Sequence, residues 1–231
     1  MLGLVLALIP SACGSSASGK PAKMARYASE APARVVVVRT ERFALRASMY
    51  VDLYATLLRG EDADLAGTAR RTIDLLACDD ERCAARAMAG DARAGDFESA
   101  LPIFGERWRS DFALSRAAIE RALPWLLENE QAIAAGLARD LALPWPEEPV
   151  VLAVTAHAGP RNALHAIDAP TVDVEGGCFA GAAILECAFS HAARSLAPSA
   201  ARRALAHAVG RAVVRVVPGY VPEESRIPFD P

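Results

Sequence analysis

The sequence has no run of about 20 apolar residues, so no segment is long enough to span a bilayer as a helix. It has no internal repeat, which excludes solenoid and propeller architectures. It lacks an excess of either charge: the net charge is −3 and the pI about 5.9. Nucleic-acid binding therefore gets no support from charge. It carries no G-x-S-x-G, no P-loop and no dinucleotide fingerprint. What it does have is a high apolar fraction, 53%, much of it alanine, which favours helix over sheet. A length of 231 residues suits one moderately large domain with a real core.

The apolar run at residues 1–9, MLGLVLALI, ends in Pro10-Ser11-Ala12-Cys13-Gly14. This resembles the end of a bacterial lipoprotein signal peptide, in which a small residue precedes a cysteine that is lipidated and becomes the N-terminus. Pro10 stands where Leu or Val is usual, and no Lys or Arg precedes the run, as if the start codon were placed a few codons late. An ordinary secretory signal and an uncleaved apolar tail are the alternatives. Residues 14–33 begin with GSSASGKPAK, a small, polar composition that reads as a flexible tether. Gly14 after the cysteine points to the outer membrane in a host with two membranes. The folded domain is expected over 34–231.

Within it, β-branched runs predict strands at 35–38, 150–155 and 171–175. Phe43, Leu45, Met49, Leu53 and Leu57 lie near helical spacing and predict a helix over 43–58. A second helix is expected at 64–77. Residues 99–112 and 114–143 predict two or three more, with Pro124 as a break or a first-turn proline. The last helix is expected over 199–217, stopped by Pro218-Gly219. The fold class is α+β: mostly helical, with a small sheet ahead of a central helix.

That central helix follows Gly176-Gly177 and runs from about Phe179. Leu185, Ala188, Phe189, Ala192 and Leu196 form its apolar stripe. Opposite lie Cys187, Ser190, His191 and Arg194, with Glu186 on the shoulder, and a polar cluster on a buried helix is a candidate site.

This helix, GGCFAGAAILECAFSHAARSL, and the ending GRAVVRVVPGYVP resemble two segments of a group of uncharacterised bacterial proteins with a zincin-type HExxH metallopeptidase signature. In that group the segments read roughly ALEVLFHEASHAL and GEAVRRVLPGYVPY. Leu143-Pro144-Trp145-Pro146 likewise resembles the group's TPWP-like element. The resemblance implies a zincin-like fold. It also implies where the chemistry should be: the zinc histidines at Ser190 and Arg194, the general-base glutamate at His191, and the third ligand at Arg211. HExxH works because histidines at i and i+4 bind zinc while the glutamate activates the metal-bound water. Serine is a poor zinc ligand and arginine a fixed cation, so the four substitutions argue against peptidase activity. Glu186, Arg194 and Arg211 are instead a candidate binding set. The two guanidinium groups can grip a carboxylate or phosphate, or pair with Glu186 as a structural ion pair.

With Cys13 lipidated, Cys78, Cys83, Cys178 and Cys187 remain, an even number that suggests two disulfides in an exported domain. The segment CDDERC can close a small loop. Cys178 and Cys187 on one straight helix would lie roughly 13 Å apart, beyond disulfide reach. A relocated zinc site is the competing reading, with Cys187 and His191 at i and i+4 and with His207 and Cys178 completing the shell. His157 and His165 read as surface residues. No catalytic residue, metal or cofactor is expected. The favoured role is binding an envelope partner or anionic ligand as a degenerate metallopeptidase-like lipoprotein. A hydrolase with a relocated metal and a purely structural helical module are the rivals.

Overall fold

Four consecutive valines and an arginine form the first strand, β1 (Val35–Arg39), and a tight turn returns the chain as β2 (Phe43–Ser48). The computed structural model describes residues 33–58, 65–156, 171–173, 181–197 and 199–222, all belonging to the unit Ala31–Pro231. After β2 come α1 (Met49–Leu58), α2 (Leu65–Leu76), α3 (Glu81–Met88) and α4 (Ala94–Leu141). Then follow β3 (Val150–Thr155), β4 (Thr171–Asp173), α5 (Ala183–Leu196) and α6 (Arg202–Val216). The sheet order is β1-β2-β3-β4, with β1 antiparallel to β2 and the other neighbours parallel. Thr155 pairs in register with Asp173, and the β2–β3 register, extended by two residues from Arg46↔Ala153, brings Ser48 level with Thr155. The class is α+β, mostly helical, with the small sheet ahead of α5. Among the described residues, no helix is long and apolar enough to cross a membrane.

Two expectations need correcting. Residues 43–58 are not one helix: Phe43–Ser48 is a strand and only Met49–Leu58 is helical. Phe43, Leu45 and Ala47 recur at period two and are all buried, so strand and helix spacing coincide locally and pairing with β1 decides between them. The sheet accordingly has four strands rather than three. The region 94–141 is one helix of 48 residues, about 70 Å long, with Pro102 and Pro124 inside it. Both prolines sit on the exposed face, where the carbonyls they leave unbonded can turn to water. The buried stripe Phe104, Trp108, Asp111, Ser115, Ala118, Ala122, Leu126, Asn129, Ile133 and Leu137 crosses Pro124 without interruption.

A buried carboxyl group ties this helix to the hairpin. Glu130 accepts from the Thr40 hydroxyl and from the backbone amides of Glu41 at 3.1 Å and Arg42 at 3.2 Å. The turn closes on itself through Thr40 N–H to Phe43 O at 2.8 Å. Replacing Glu130 by Ala leaves these donors without their acceptor in a part-buried turn, at an expected cost of about 2–4 kcal/mol. Urea unfolding reads this directly, and a loss below about 0.5 kcal/mol would contradict the clamp.

Sequence spacing also missed α3, whose N-terminus lies inside the CDDERC loop. Cys78 and Cys83 form the expected disulfide, with Cα atoms 5.2 Å apart. Within that loop the Asp80 side chain accepts from Cys83 N–H at 2.8 Å and caps α3. Arg46 of β2 reaches across to Cys78 O and Asp79, both at 2.8 Å, and pins the loop to the sheet.

Candidate functional site

The polar residues that the sequence marks on α5 are packed, not lining an open cleft. All residues from Ala183 to Ala193 are buried, so this helix is enclosed on every side. Phe189 stacks edge-on against Phe43 of β2, with centroids 4.9 Å apart, and tilts against Trp145 at 5.4 Å. Trp145 also meets Phe43 at 5.9 Å, so the Leu143–Pro146 element, the sheet and α5 share one aromatic cluster.

Glu186 and Ser190 lie four residues apart on this helix. The Tyr220 hydroxyl donates to the Glu186 carboxyl at 2.5 Å. The chain can fold back to make this bond because Gly210 of α6 has no side chain: a Cβ there would stand 3.0 Å from Pro222. The two segments that carry the family resemblance therefore touch each other through Glu186–Tyr220, and the second folds back on itself at Gly210–Pro222. Tyr220→Phe removes one hydrogen bond to a buried carboxyl, with an expected loss of about 1–2 kcal/mol in urea unfolding. An unchanged midpoint would show that the contact contributes nothing. The Ser190 hydroxyl has no hydrogen-bond partner among the described residues and no exposure to solvent. His191 is buried and Arg194 half-buried on the same helix.

Arg211 is held elsewhere. Its Nε lies 3.4 Å from Asp140 on α4, and Arg215 reaches the same carboxylate at 3.0 Å. Partial desolvation would raise the Asp140 carboxyl, but Arg215 and then Arg211 outweigh it and hold the group below the usual carboxylate range. α4 and α6 come close here: a Cβ on Gly136 would stand 3.2 Å from the Arg215 guanidinium.

Of the four candidates for a relocated zinc site, Cys187 is disulfide-bonded and offers no thiolate, while His207 is exposed on α6. The cysteine that pairs with Cys187 lies outside the described residues, as do Cys13, Cys178, His157 and His165. Because α5 begins at Ala183, the objection that Cys178 and Cys187 share one straight helix does not arise. No group of three or more His, Cys, Asp or Glu side chains among the described residues could hold a metal ion.

A second cluster, at the carboxyl end of β3, escaped the sequence reading. Asp52 of α1 is fully buried between Val51 and Leu53, and neither carboxyl oxygen has a hydrogen-bond partner among the described residues. Burial is the main cause that pushes its pKa up to about 8. The Thr155 hydroxyl and the Ala156 amide oppose that rise, and they face the carboxyl without reaching hydrogen-bonding geometry. The charge of Asp111 adds to the rise and that of Arg107 subtracts from it. Arg107 itself reaches Asp111 at 3.4 Å. Ser48 and Ser115 are also buried, and their hydroxyls have no partner among the described residues. The available signal was an acidic residue inside the apolar run MYVDLYATLL.

Compared with protein-family models, with curated proteins and with solved structures, the chain matches none.

Proposed function

We propose that this chain is an exported, non-catalytic binding domain on a metallopeptidase-like scaffold, tethered at the cell envelope through Cys13. The observation that carries the reading is the state of the helix where the resemblance implies zinc chemistry. Ser190 and His191 are buried there, and Glu186 is occupied by Tyr220. Arg211, which stands where the third ligand is implied, is engaged by Asp140. A catalytic zinc centre needs three ligands and an open coordination position for water. A serine and two arginines supply neither. The disulfide Cys78–Cys83 and the bonded state of Cys187 suit an oxidising compartment outside the cytosol.

The partner in this reading is an envelope protein or a ligand bearing a carboxylate or phosphate, gripped by Arg194. The test is made on the full chain, purified without chelator. The expected result is less than a tenth of a zinc per chain, no chelator-sensitive peptide cleavage, and lipid labelling that disappears in Cys13→Ala. Thermal stabilisation by inorganic phosphate or a dicarboxylate, lost in Arg194→Ala, is expected alongside. About one zinc per chain with chelator-sensitive hydrolysis would replace this reading with the relocated-metal hydrolase.

A further inference from the structure

We infer that the junction of α1, α4 and the end of β3 is a proton-operated latch: opening it hydrates the Asp52 carboxyl and releases its proton, so the joint is tighter in acid and looser in alkali.

The geometry carries this. Asp52 is fully buried and, among the described residues, no basic side chain forms an ion pair with it. A carboxyl group in that position is kept neutral, because an uncompensated charge there is more costly than a bound proton. The groups that face it can be named from each packed element. From α4 come Asp111, whose charge disfavours a second anion, and Arg107, which is committed to Asp111. From β3 come the Thr155 hydroxyl and the Ala156 amide. α2 contributes the buried, non-titrating threonines Thr68 and Thr72. β2 ends at Ser48, buried and neutral.

The position matters as much as the charge. Thr155 is the last residue of β3, one of the two inner strands, which pairs with both β2 and β4. The Asp52 carboxyl faces Thr155 from α1, so a charge placed on it bears on the packing of α1 against the end of that strand. Arg107 and Asp111 extend the coupling to α4, whose Trp108 donates to Ala33 O at 3.1 Å, just before β1. Three elements meet at one titratable group. The inference holds whichever compartment the domain occupies.

The sign follows from linkage. In the open joint Asp52 has an ordinary carboxylate pKa, and in the closed joint a raised one. Between those two values opening releases a proton, so the opening equilibrium rises about tenfold per pH unit and then levels off near pH 8.

Hydrogen exchange on the full chain tests this, following peptides that cover 150–156 and 49–58. Rates in the native protein are divided by those in Asp52→Asn at the same pH, which cancels the intrinsic pH dependence of exchange. The ratio is expected to rise at least about tenfold between pH 6 and pH 8 in these peptides. In peptides from 202–216, on α6, it is expected to stay flat. A ratio independent of pH in the 150–156 and 49–58 peptides overturns the latch. Should Asp52→Asn not fold, the carboxyl carbon of Asp52 is titrated by NMR in the native protein. A midpoint well above 6 supports the inference, and an ordinary midpoint below 5 overturns it.

Discussion

Asp52→Asn is expected to widen its stability advantage over the native protein by about 1.4 kcal/mol for each pH unit between pH 5 and pH 8. The folded-state pKa is raised, from 3.8 to about 8. Stability from this group is therefore fully present below the unfolded pKa and is lost as pH rises towards the folded one. Across that window the unfolded chain is ionised and the folded chain still carries the proton, so acidification favours folding. The full window has a ceiling of about 6 kcal/mol, a large fraction of the 5–15 kcal/mol that holds an ordinary domain together. Asparagine is close in size and never ionises, so it removes the linkage and leaves the packing nearly unchanged. Only below about pH 3, under the unfolded pKa, is the native carboxyl neutral in both states, and there the linkage advantage of asparagine vanishes.

Asp140 works in the opposite sense. Its carboxylate is held low by Arg215 and Arg211, so its contribution is present above the unfolded pKa and lost as pH falls through the folded one. That is why the comparison must be a difference between two variants rather than a single profile: the Asp140 term is common to both and cancels. Urea midpoints at four pH values for each protein suffice. Parallel profiles would mean that the Asp52 carboxyl is hydrated or paired in the folded state.

The elements that could be read in the sequence were those whose signal is local. β1 and β3 are β-branched runs, and α2, α5 and α6 have helical periodicity bounded by turns or prolines. The Cys78–Cys83 bridge was legible from its short spacing. What could not be read depended on partners far away in the chain. The strand at Phe43 is specified by its pairing with β1 and by a buried glutamate 87 positions later, Glu130. The continuity of α4 across Pro124 depends on which face of the helix meets the core, and that face is set by the elements packed against it. The site followed the same rule. Glu186 was legible as a buried polar residue, but its partner Tyr220 comes from the chain end, and Arg211 found Asp140 on α4 rather than a place beside α5. Asp52 is hard to read in the sequence because a helix phased from Phe43 hides how completely α1 is buried.

Phe189→Ala is the substitution expected to test the central helix most severely, at about 3–5 kcal/mol. The ring has no exposure and stands between Phe43 of β2 and Trp145, so it joins α5 to the sheet and to the chain leading into β3. Deleting it removes buried apolar area and leaves a cavity whose walls are a strand and an enclosed helix, neither of which can collapse far. The two ring contacts contribute within that total, at about 0.5–1.5 kcal/mol each. Phe189→Leu refills much of the volume but restores neither ring contact, so it should recover roughly half of the loss. Trp145 supplies a second readout, since its fluorescence should shift once Phe189 no longer packs on it. Both variants should still form the Cys78–Cys83 bridge, which lies on the opposite side of the β2 pleat, beyond Arg46. A loss below about 1 kcal/mol for the alanine variant would mean that α5 does not anchor the core. The reading of α5 as a packed helix rather than a catalytic one would then fail with it, because a helix that tolerates such a hole has room for an open metal face.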